Sequence, residues 1–259
     1  MLFANMDITE ISLYMFFLFF FGLIIYLRRE DRREGYPLEQ DTNGKLEPIE
    51  GILWFATPKK FTLPHGRGMF AAPNAARDGK KGKSKRLAVW AGAPSIPDGD
   101  PFAAGVGPGS YADRSKAIDV TLHGDPKIVP LRAAPGYAVV GEDPNPVGWS
   151  VKGLDGASAG TVSDLWIDRS ESLIRYVEVE LGAAAGIHAG RRVLLPMTMA
   201  AVNKAAKTVE TDAVTAAQFA GAPKLSTPDQ ITFDEEERVA AYFGAGYLYA
   251  TRNRAEAAL

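Results

Sequence analysis

Few residues in this sequence could perform chemistry, and they are widely separated along the chain. The 259 residues include no cysteine, which excludes disulfides, zinc–thiolate sites, cysteine-held iron–sulfur clusters and cysteine nucleophiles. The three histidines, His65, His123 and His188, are too scattered to suggest a metal cluster. H-E-x-x-H does not occur, the one G-x-S-x-G (Gly156–Gly160) lies within a predicted strand and not on a strand-to-helix turn, and no nucleophile–base pair is evident. The sequence therefore gives little support to a hydrolase, including one anchored in a membrane.

Two short stretches bring titratable side chains together. His123 and Asp125 share the stretch TLHGDPKIVP, while Asp168, Glu171 and Arg175 share the stretch WIDRSESLIR. Acids in a β-turn are usually just solvated, so these residues alone assign no role. The net charge of −2 gives no bulk electrostatic case for binding nucleic acid.

The longest uncharged stretch, Ile11–Leu27, predicts a membrane-spanning helix. Its 17 residues would span about 25 Å as a helix, slightly less than the hydrocarbon core of a bilayer. Tyr14 and Tyr26 flank it at the depth of the membrane interface. A cleaved signal peptide is the alternative, but the basic residues follow the apolar run here instead of preceding it.

The basic residues predict the orientation of this helix. Met1–Glu10 contains no Lys or Arg, whereas Arg28, Arg29, Arg32 and Arg33 follow the span directly. Because Lys and Arg favour the cytoplasmic side, we expect the N-terminus outside and the rest of the chain in the cytoplasm. The helix is predicted to continue for one or two turns and to end near Gly35 and Pro37.

Residues 41–112 are rich in Gly, Pro and Ala and show few periodic apolar runs. Short strands are predicted at Gly51–Ala56 and Lys60–Leu63, and the remainder is predicted to be irregular. Such a long loop is unusual in a compact domain, so it either lies extended on another protein or is disordered in its middle. The basic run Lys80–Arg86 is either a solvated loop or a contact for anionic lipid headgroups.

From Ile118 onward the pattern predicts a series of short strands. The clearest are Gly153–Asp168 and Ile174–Leu181, joined by a turn to form a β-hairpin. The second strand alternates apolar residues with Tyr176, Glu178 and Glu180, which predicts one buried face and one exposed face. The other predicted strands are Lys127–Arg132, Tyr137–Val140, Val147–Val151, Arg191–Leu195 and Lys207–Thr211. Strands at this spacing predict a small antiparallel barrel or sandwich.

Two helices are predicted near the end of the sequence. The first is short and alanine-rich, at Asp212–Ala220. The second begins at Thr232, which with Glu235 has the spacing of a capping box. Val239, Phe243 and Tyr247 form an apolar stripe along this second helix.

Long motifs over most of the chain resemble one known family. They are GLIIYLRREDRREGYPLE (22–39), FTLPHGRG (61–68), DGDPFAAGVGPGSY (98–111), KIVPLRAAPGYAV (127–139), GTVSDLWIDRSESLIRYVEVEL (160–181), RRVLLPM (191–197) and DEEERVAAYFGAGYLYA (234–250). In sequence and in order they resemble the H subunit of the photosynthetic reaction centre of purple bacteria.

The resemblance implies an α+β fold, with one N-terminal transmembrane helix, a cytoplasmic small antiparallel β-barrel called the PRC-barrel, and a C-terminal helix. The implied organisation has five parts. They are a periplasmic tail (1–10), the transmembrane helix (11–27), the juxtamembrane helix end with an extended segment draped over partner subunits (28–112), the barrel domain (113–225) and the C-terminal helix and tail (226–259).

The resemblance also implies a function without catalysis by this chain. Such an H subunit binds no pigment itself, caps the L and M subunits on the cytoplasmic side, and conducts protons to the secondary quinone. Bacteriochlorophyll, bacteriopheophytin, ubiquinone or menaquinone, non-haem iron and carotenoid belong to the partner subunits. A cytochrome subunit and a light-harvesting 1 ring are further possible partners, and the location is the bacterial inner membrane, including its intracytoplasmic or chromatophore form.

The residue roles follow from matching motifs. The resemblance assigns proton entry to His123 and Asp125, and interior proton transfer to Asp168 and Glu171 with Arg175 nearby. This chain has fewer histidines in the entry loop than the family usually shows. A further implied surface is a site for anionic phospholipid, comprising Tyr26, Arg28, Arg29, Arg32 and Arg33, although plain anchoring at the interface explains the same residues. The alternative function is a membrane-anchored PRC-barrel adaptor of another complex.

Overall fold

The computed structural model describes residues 7–33, 56–73, 82–90 and 92–254. These residues belong to two compact units. The first is drawn from Met1–Arg77 with Trp90–Gly92, and the second from Asp78–Val89 with Ala93–Leu259.

The main element of the first unit is helix α1, Ile8–Glu30, which continues as a 3₁₀ turn over Asp31–Arg33. Asp7 caps the helix by accepting a hydrogen bond from the Glu10 N–H at 2.8 Å. No residue of α1 is buried within the chain, and its length and mean hydropathy of 2.1 suit a membrane span. The predicted span Ile11–Leu27 lies wholly within it, so the helix prediction is confirmed. The predicted helix end at Gly35 and Pro37 lies outside the described residues.

The first unit also contains a β-hairpin. Strand β1, Lys59–Thr62, pairs with β2, Met69–Ala72, with Phe61 opposite Phe70. The first strand confirms the prediction at Lys60–Leu63, whereas the second was predicted as irregular chain. The predicted strand at Gly51–Ala56 lies outside the described residues except for Ala56.

The second unit begins with another short hairpin and then forms a seven-stranded sheet. The hairpin pairs β3, Ser84–Arg86, with β4, Ser95–Pro97, where no strand was predicted. The sheet strands are β5 Ile128–Pro130, β6 Ser150–Lys152, β7 Ser158–Asp168, β8 Leu173–Leu181, β9 Arg192–Pro196, β10 Ala201–Asn203 and β11 Thr208–Glu210.

The strands run in the order β10-β11-β6-β7-β8-β9, and β5 also pairs with β7. The pairs are antiparallel apart from β6 with β11, which is parallel. The predicted strands at Lys127–Arg132, Arg191–Leu195 and Lys207–Thr211 are confirmed in shortened form. Only the end of Val147–Val151 is a strand, and the prediction at Tyr137–Val140 was wrong, because this stretch has no regular secondary structure.

The predicted β7–β8 hairpin is confirmed and lies in the middle of this sheet, but it is buried more completely than its sequence pattern indicates. Residues Tyr176–Val179 of β8 are all buried, so the prediction of an exposed face holding Tyr176 and Glu178 was wrong. Register shifts near Val162 and Trp166 change which side chains of β7 point to each face of the sheet. Gly160 lies so close to β8 that an added Cβ would overlap the Glu180 carbonyl oxygen, which explains glycine here.

Helix α2, Phe233–Tyr249, packs against the sheet. Its predicted capping box is confirmed, because Thr232 Oγ1 accepts from the Glu235 N–H at 3.2 Å and Glu235 Oε2 accepts from the Thr232 N–H at 2.9 Å. Val239 and Phe243 are buried in the core, whereas Tyr247 is exposed. The predicted helix at Asp212–Ala220 was wrong in kind, since only a 3₁₀ helix, Ala217–Gly221, forms there.

Candidate functional site

The candidate site lies where three separate parts of the second unit meet. The stretch before β5 runs alongside the start of α2, because Ile118 pairs with Thr232 and the Phe233 N–H donates to Ala117 O at 3.1 Å. Strand β5 then places Ile128 opposite Asp168 at the end of β7. The site is therefore built from an entry loop, the β7–β8 turn and the first turn of α2.

Lys127 is the cation at the centre of this site. Its Nζ lies 3.2 Å from Asp168 Oδ2, 3.5 Å from Asp119 Oδ2 and 3.9 Å from Glu171 Oε1. We call these four residues the Lys127 cluster. Burial alone would lower the pKa of Lys127, but the hydrogen bond and charge of Asp168, with the other two acids, raise it above its ordinary value. Lys127 therefore stays protonated and keeps acidic side chains together.

Asp168 is fixed by the turn that it closes. Its side chain is 1% exposed, and its Oδ1 accepts from the backbone N–H groups of Ser170 at 2.9 Å and Glu171 at 3.1 Å. These bonds occupy one carboxylate oxygen while Lys127 occupies the other. Glu171 is 53% exposed at the rim of the cluster, where it is accessible to water.

Glu236 and Tyr176 form a second titratable pair in this region. The Tyr176 hydroxyl donates to Glu236 Oε2 at 3.1 Å. Burial raises the pKa of the Glu236 carboxyl above its ordinary value, and the charge of Asp119 adds to this, against the opposing effects of Tyr176 and Arg175. Burial and the nearby Glu236 also raise the pKa of Tyr176, so the phenol stays neutral and remains a donor. A carboxyl shifted toward neutral pH is suited to exchanging protons.

The residues predicted from sequence take different positions around this centre. His123 and Asp125 are exposed in a tight turn, where the Thr121 N–H donates to Asp125 O at 2.8 Å. Asp168 and Glu171 come together through Lys127. Arg175 is exposed on β8. Its positive charge partly opposes the rise in the pKa of Glu236 and of Tyr176.

Four participants were missed by the sequence analysis: Asp119, Lys127, Tyr176 and Glu236. Glu236 was not singled out from the sequence, and Tyr176 was interpreted only as an exposed strand residue. A signal for Lys127 was available in the motif KIVP, where Lys127 begins a predicted strand, but nothing in the sequence placed that strand beside the acidic turn.

A second group of charges, which we call the Arg132 cluster, lies deeper in the same domain. Arg132 forms a paired contact with Glu178 at 3.0 and 3.1 Å, and contacts Asp164 at 3.0 Å and Asp229 at 2.8 Å. Glu178 is 2% exposed and also accepts from Ser163 Oγ at 2.7 Å and Trp166 Nε1 at 2.9 Å. Asp164 and Glu178 face each other across β7 and β8, so Arg132 neutralises two adjacent buried acids.

The membrane-side residues predicted to contact lipid are partly engaged within the chain. Tyr26 is exposed, and Arg28 Nη1 bonds Asp31 at 3.0 Å while remaining half exposed. Arg33 is 10% exposed and contacts Glu30 at 2.8 Å. The Arg29 guanidinium donates to Thr57 Oγ1 at 3.0 Å.

The fold and these charge clusters define a class: a membrane-anchored protein with a PRC-barrel domain. Residues 140–218 match the family model of the PRC-barrel domain. Residues 1–133 match the family model of the photosynthetic reaction centre H-chain N-terminal region. The chain belongs to the H-chain family of the photosynthetic reaction centre.

Membership in this family has direct consequences. The chain is a subunit of a photosynthetic reaction centre and associates with its core subunits. It is a single-pass membrane protein and a structural subunit of an electron-transfer complex. The alternative of an adaptor for an unrelated complex is thereby set aside. In the described ranges, no group of three or more His, Asp or Glu residues is arranged to hold a metal ion.

Proposed function

We propose that this chain caps the L and M subunits on the cytoplasmic side of the membrane and conducts protons to the secondary quinone. Reduction of that quinone to quinol needs two protons from water, and the capping domain lies between the quinone and the cytoplasm. The observation that supports this role is the convergence of Asp119, Asp168, Glu171 and Glu236 around Lys127.

In this proposal the exposed turn with His123 and Asp125 collects protons from water. The rim acid Glu171 receives them, and Asp168, held by Lys127, keeps the cluster in place. Glu236 takes up a proton more readily than an ordinary carboxylate because burial raises its pKa, and Tyr176 remains a neutral donor to it. Arg175 favours the ionised form of Glu236 and so keeps it able to accept a proton again.

The test is the Glu171→Gln variant of the whole complex. We expect slower proton-coupled transfer of the second electron to the secondary quinone, measured by flash spectroscopy, with assembly and the first electron transfer unchanged. Glu180→Gln is the matched control, because Glu180 lies at the opposite end of β8 from the Glu171 turn, is similarly exposed, and is paired with Arg192. An unchanged second-electron rate in Glu171→Gln would show that this acid is not on the proton route.

The proposal assigns the cofactors to the partner subunits. The L and M subunits hold bacteriochlorophyll, bacteriopheophytin, carotenoid, non-haem iron and a ubiquinone or menaquinone. The complex lies in the bacterial inner membrane or its intracytoplasmic form, with the N-terminus of this chain in the periplasm. A cytochrome subunit or a light-harvesting 1 ring can join the same assembly.

The proposed domain organisation keeps the boundaries 11–27 for the span and 113–225 for the barrel, with residues 28–112 in contact with partner subunits. An anionic phospholipid bridges α1 to neighbouring helices at Tyr26 and the arginines after it. Arg28 is the best-exposed cation of this set, whereas Arg33 is largely occupied by contacts within the chain.

A further inference from the structure

The β1–β2 hairpin of the first unit exposes an unusual amount of apolar surface. Met69 is 70% exposed and Phe70 is 48% exposed, while Phe61 and Leu63 are also exposed. An isolated two-stranded hairpin has no core of its own in which to bury such side chains. Neighbouring large apolar groups on a surface indicate a contact with another apolar medium.

The apolar residues occupy both faces of the hairpin. Phe61 and Phe70 face each other across the two strands and share one face, whereas Met69, opposite Thr62, lies on the other. A single flat protein surface would cover one face and leave the other in water. Immersion in the boundary between lipid headgroups and acyl chains covers both.

The charge of this segment matches an anionic membrane surface. Residues 56–73 contain Lys59, Lys60 and Arg67 and no Asp or Glu. Basic residues interspersed with exposed aromatic and aliphatic side chains are the composition that binds anionic lipid interfaces.

The base of the hairpin is fastened to the end of the membrane helix. Arg33 Nη1 donates to Thr57 O at 2.7 Å and to Ala72 O at 2.6 Å, so one side chain bonds the chain at both ends of the hairpin. Lys59 Nζ also donates to Glu30 Oε2 at 2.8 Å. Four strand residues extend about 14 Å, so the whole hairpin stays close to the point where α1 leaves the bilayer.

We propose that the β1–β2 hairpin is a second membrane-contacting element, which inserts Phe61, Leu63, Met69 and Phe70 into the interface of an anionic bilayer. Lys60 and Arg67 meet headgroup phosphates at the same depth. The contact is additional to the lipid position proposed beside Tyr26, and it assigns residues 59–72 to lipid, so that contacts with partner subunits belong to the rest of the segment 28–112.

The test measures the depth of a spin label in the intact complex. Because this chain has no cysteine, Met69→Cys gives one labelled site in it, and unlabelled background is subtracted using the wild-type complex treated identically. The complex is placed in nanodiscs of phosphatidylcholine with one part in three of phosphatidylglycerol. Power saturation with oxygen and with a water-soluble nickel chelate then reports the depth. Ala205→Cys, exposed between β10 and β11, is the control site.

We expect the label at position 69 to collide mainly with oxygen, at a depth of about 5–10 Å, and the control label to collide mainly with the nickel chelate. Free access of nickel at position 69 would overturn the proposal by placing the hairpin in water. An immobilised label that neither reagent reaches would overturn it by showing that a protein subunit or a second copy covers the hairpin.

The attraction between Lys60 and anionic headgroups is tested by comparing two lipid compositions. Lys60→Gln should lower the ratio of inserted to uninserted hairpin about fivefold in phosphatidylglycerol nanodiscs, and have little effect in pure phosphatidylcholine. Lys116→Gln, an exposed lysine of the second unit, should leave the ratio unchanged. Equal depth in both lipids and in all variants would contradict recognition of anionic headgroups. None of these results depends on proton transfer, so the hairpin and the proton route fail or succeed separately.

Discussion

At the scale of single residues, the two charge clusters differ in what their carboxylates can do. Glu178 is buried and accepts hydrogen bonds from Arg132, Ser163 and Trp166, so its carboxylate is held by the protein and stabilises the fold. Glu236 accepts a hydrogen bond from the neutral Tyr176 hydroxyl and has a raised pKa, so protonating it costs less free energy than protonating an ordinary carboxylate. The proposed proton exchange therefore fits Glu236 beside the Lys127 cluster, and the Arg132 cluster fits a structural role.

Glu236 should leave a signature in the pH dependence of stability. Because its pKa is raised on folding, the folded state binds more protons, and its contribution to the free energy of unfolding falls as pH rises from the unfolded pKa of 4.5 through the folded one. We expect Glu236→Gln to remove this fall, so the variant gains stability relative to wild type as pH rises. Denaturant unfolding of the detergent-solubilised chain at a series of pH values measures it.

The neighbouring Glu237 provides the control for that titration. Glu237 is 36% exposed and bonds Arg114 at 2.9 Å instead of Tyr176, so Glu237→Gln should not reproduce the effect. A Glu236→Gln variant whose stability difference from wild type is constant across the pH series would show that the carboxyl does not titrate in this window.

Arg132 should be important for stability because two buried acids depend on it. Arg132→Met leaves Glu178 and Asp164 without their cation, and we expect a loss of about 3 kcal/mol in the free energy of unfolding. Circular dichroism during denaturant unfolding measures the loss. Arg192→Met, which removes an exposed cation 3.7 Å from Glu178, should cost less than about 1 kcal/mol. Adding Glu178→Gln to Arg132→Met should recover part of the loss, and no recovery would argue against an unpaired acid as its cause.

At the scale of elements, the start of α2 connects the helix to the site. Burial alone would raise the pKa of Glu235, but hydrogen bonds from the Ser226 and Thr232 N–H groups lower it below its ordinary value. The capping box therefore orients the helix turn that contains Glu236. Its contribution is fully present above the unfolded pKa of 4.5 and is lost as pH falls through the folded pKa.

Removing the cap tests this connection. Thr232→Ala should lower the free energy of unfolding by about 1 kcal/mol at neutral pH, because the Glu235 N–H loses its acceptor. Thr232→Ser, which retains the hydroxyl, is the control and should cost much less. Denaturant unfolding at neutral pH measures both, and equal losses in the two variants would show that the methyl group, not the cap, matters.

Elements specified by local sequence were predictable, and contacts between distant parts were not. The apolar run of α1, the Thr232 capping box and the β7–β8 hairpin are each encoded within a few neighbouring residues. The alternation in β8 was misleading because Arg132, more than forty residues earlier, covers its second face and gives Glu178 a partner. For the same reason Asp168 and Glu171 were identified, but Lys127, Asp119 and Glu236 were not: only the pairing of β5 with β7 and of Ile118 with Thr232 brings them together.

At the scale of the whole molecule, the two units have different surroundings. The first contains a helix with no buried residue and a basic, apolar hairpin, which are suited to lipid. The second contains a sheet packed around an apolar core, and its entry turn with His123 and Asp125 is exposed to water. From the arginines that follow α1, we predict that the chain before α1 and the sheet domain lie on opposite sides of the membrane.

That orientation is a prediction for the whole chain in its native membrane. Because this chain has no cysteine, Asn5→Cys and Ala205→Cys each introduce one thiol into it, before α1 and between β10 and β11. A membrane-impermeant maleimide should label position 5 in intact spheroplasts and position 205 only in inverted vesicles, because Arg28, Arg29, Arg32 and Arg33 hold their end of α1 in the cytoplasm. Both positions should react after detergent treatment, which shows that each thiol is accessible. Labelling of position 205 in intact spheroplasts would place the Lys127 cluster on the side from which the quinone does not take its protons, and the proposed proton route would then be impossible.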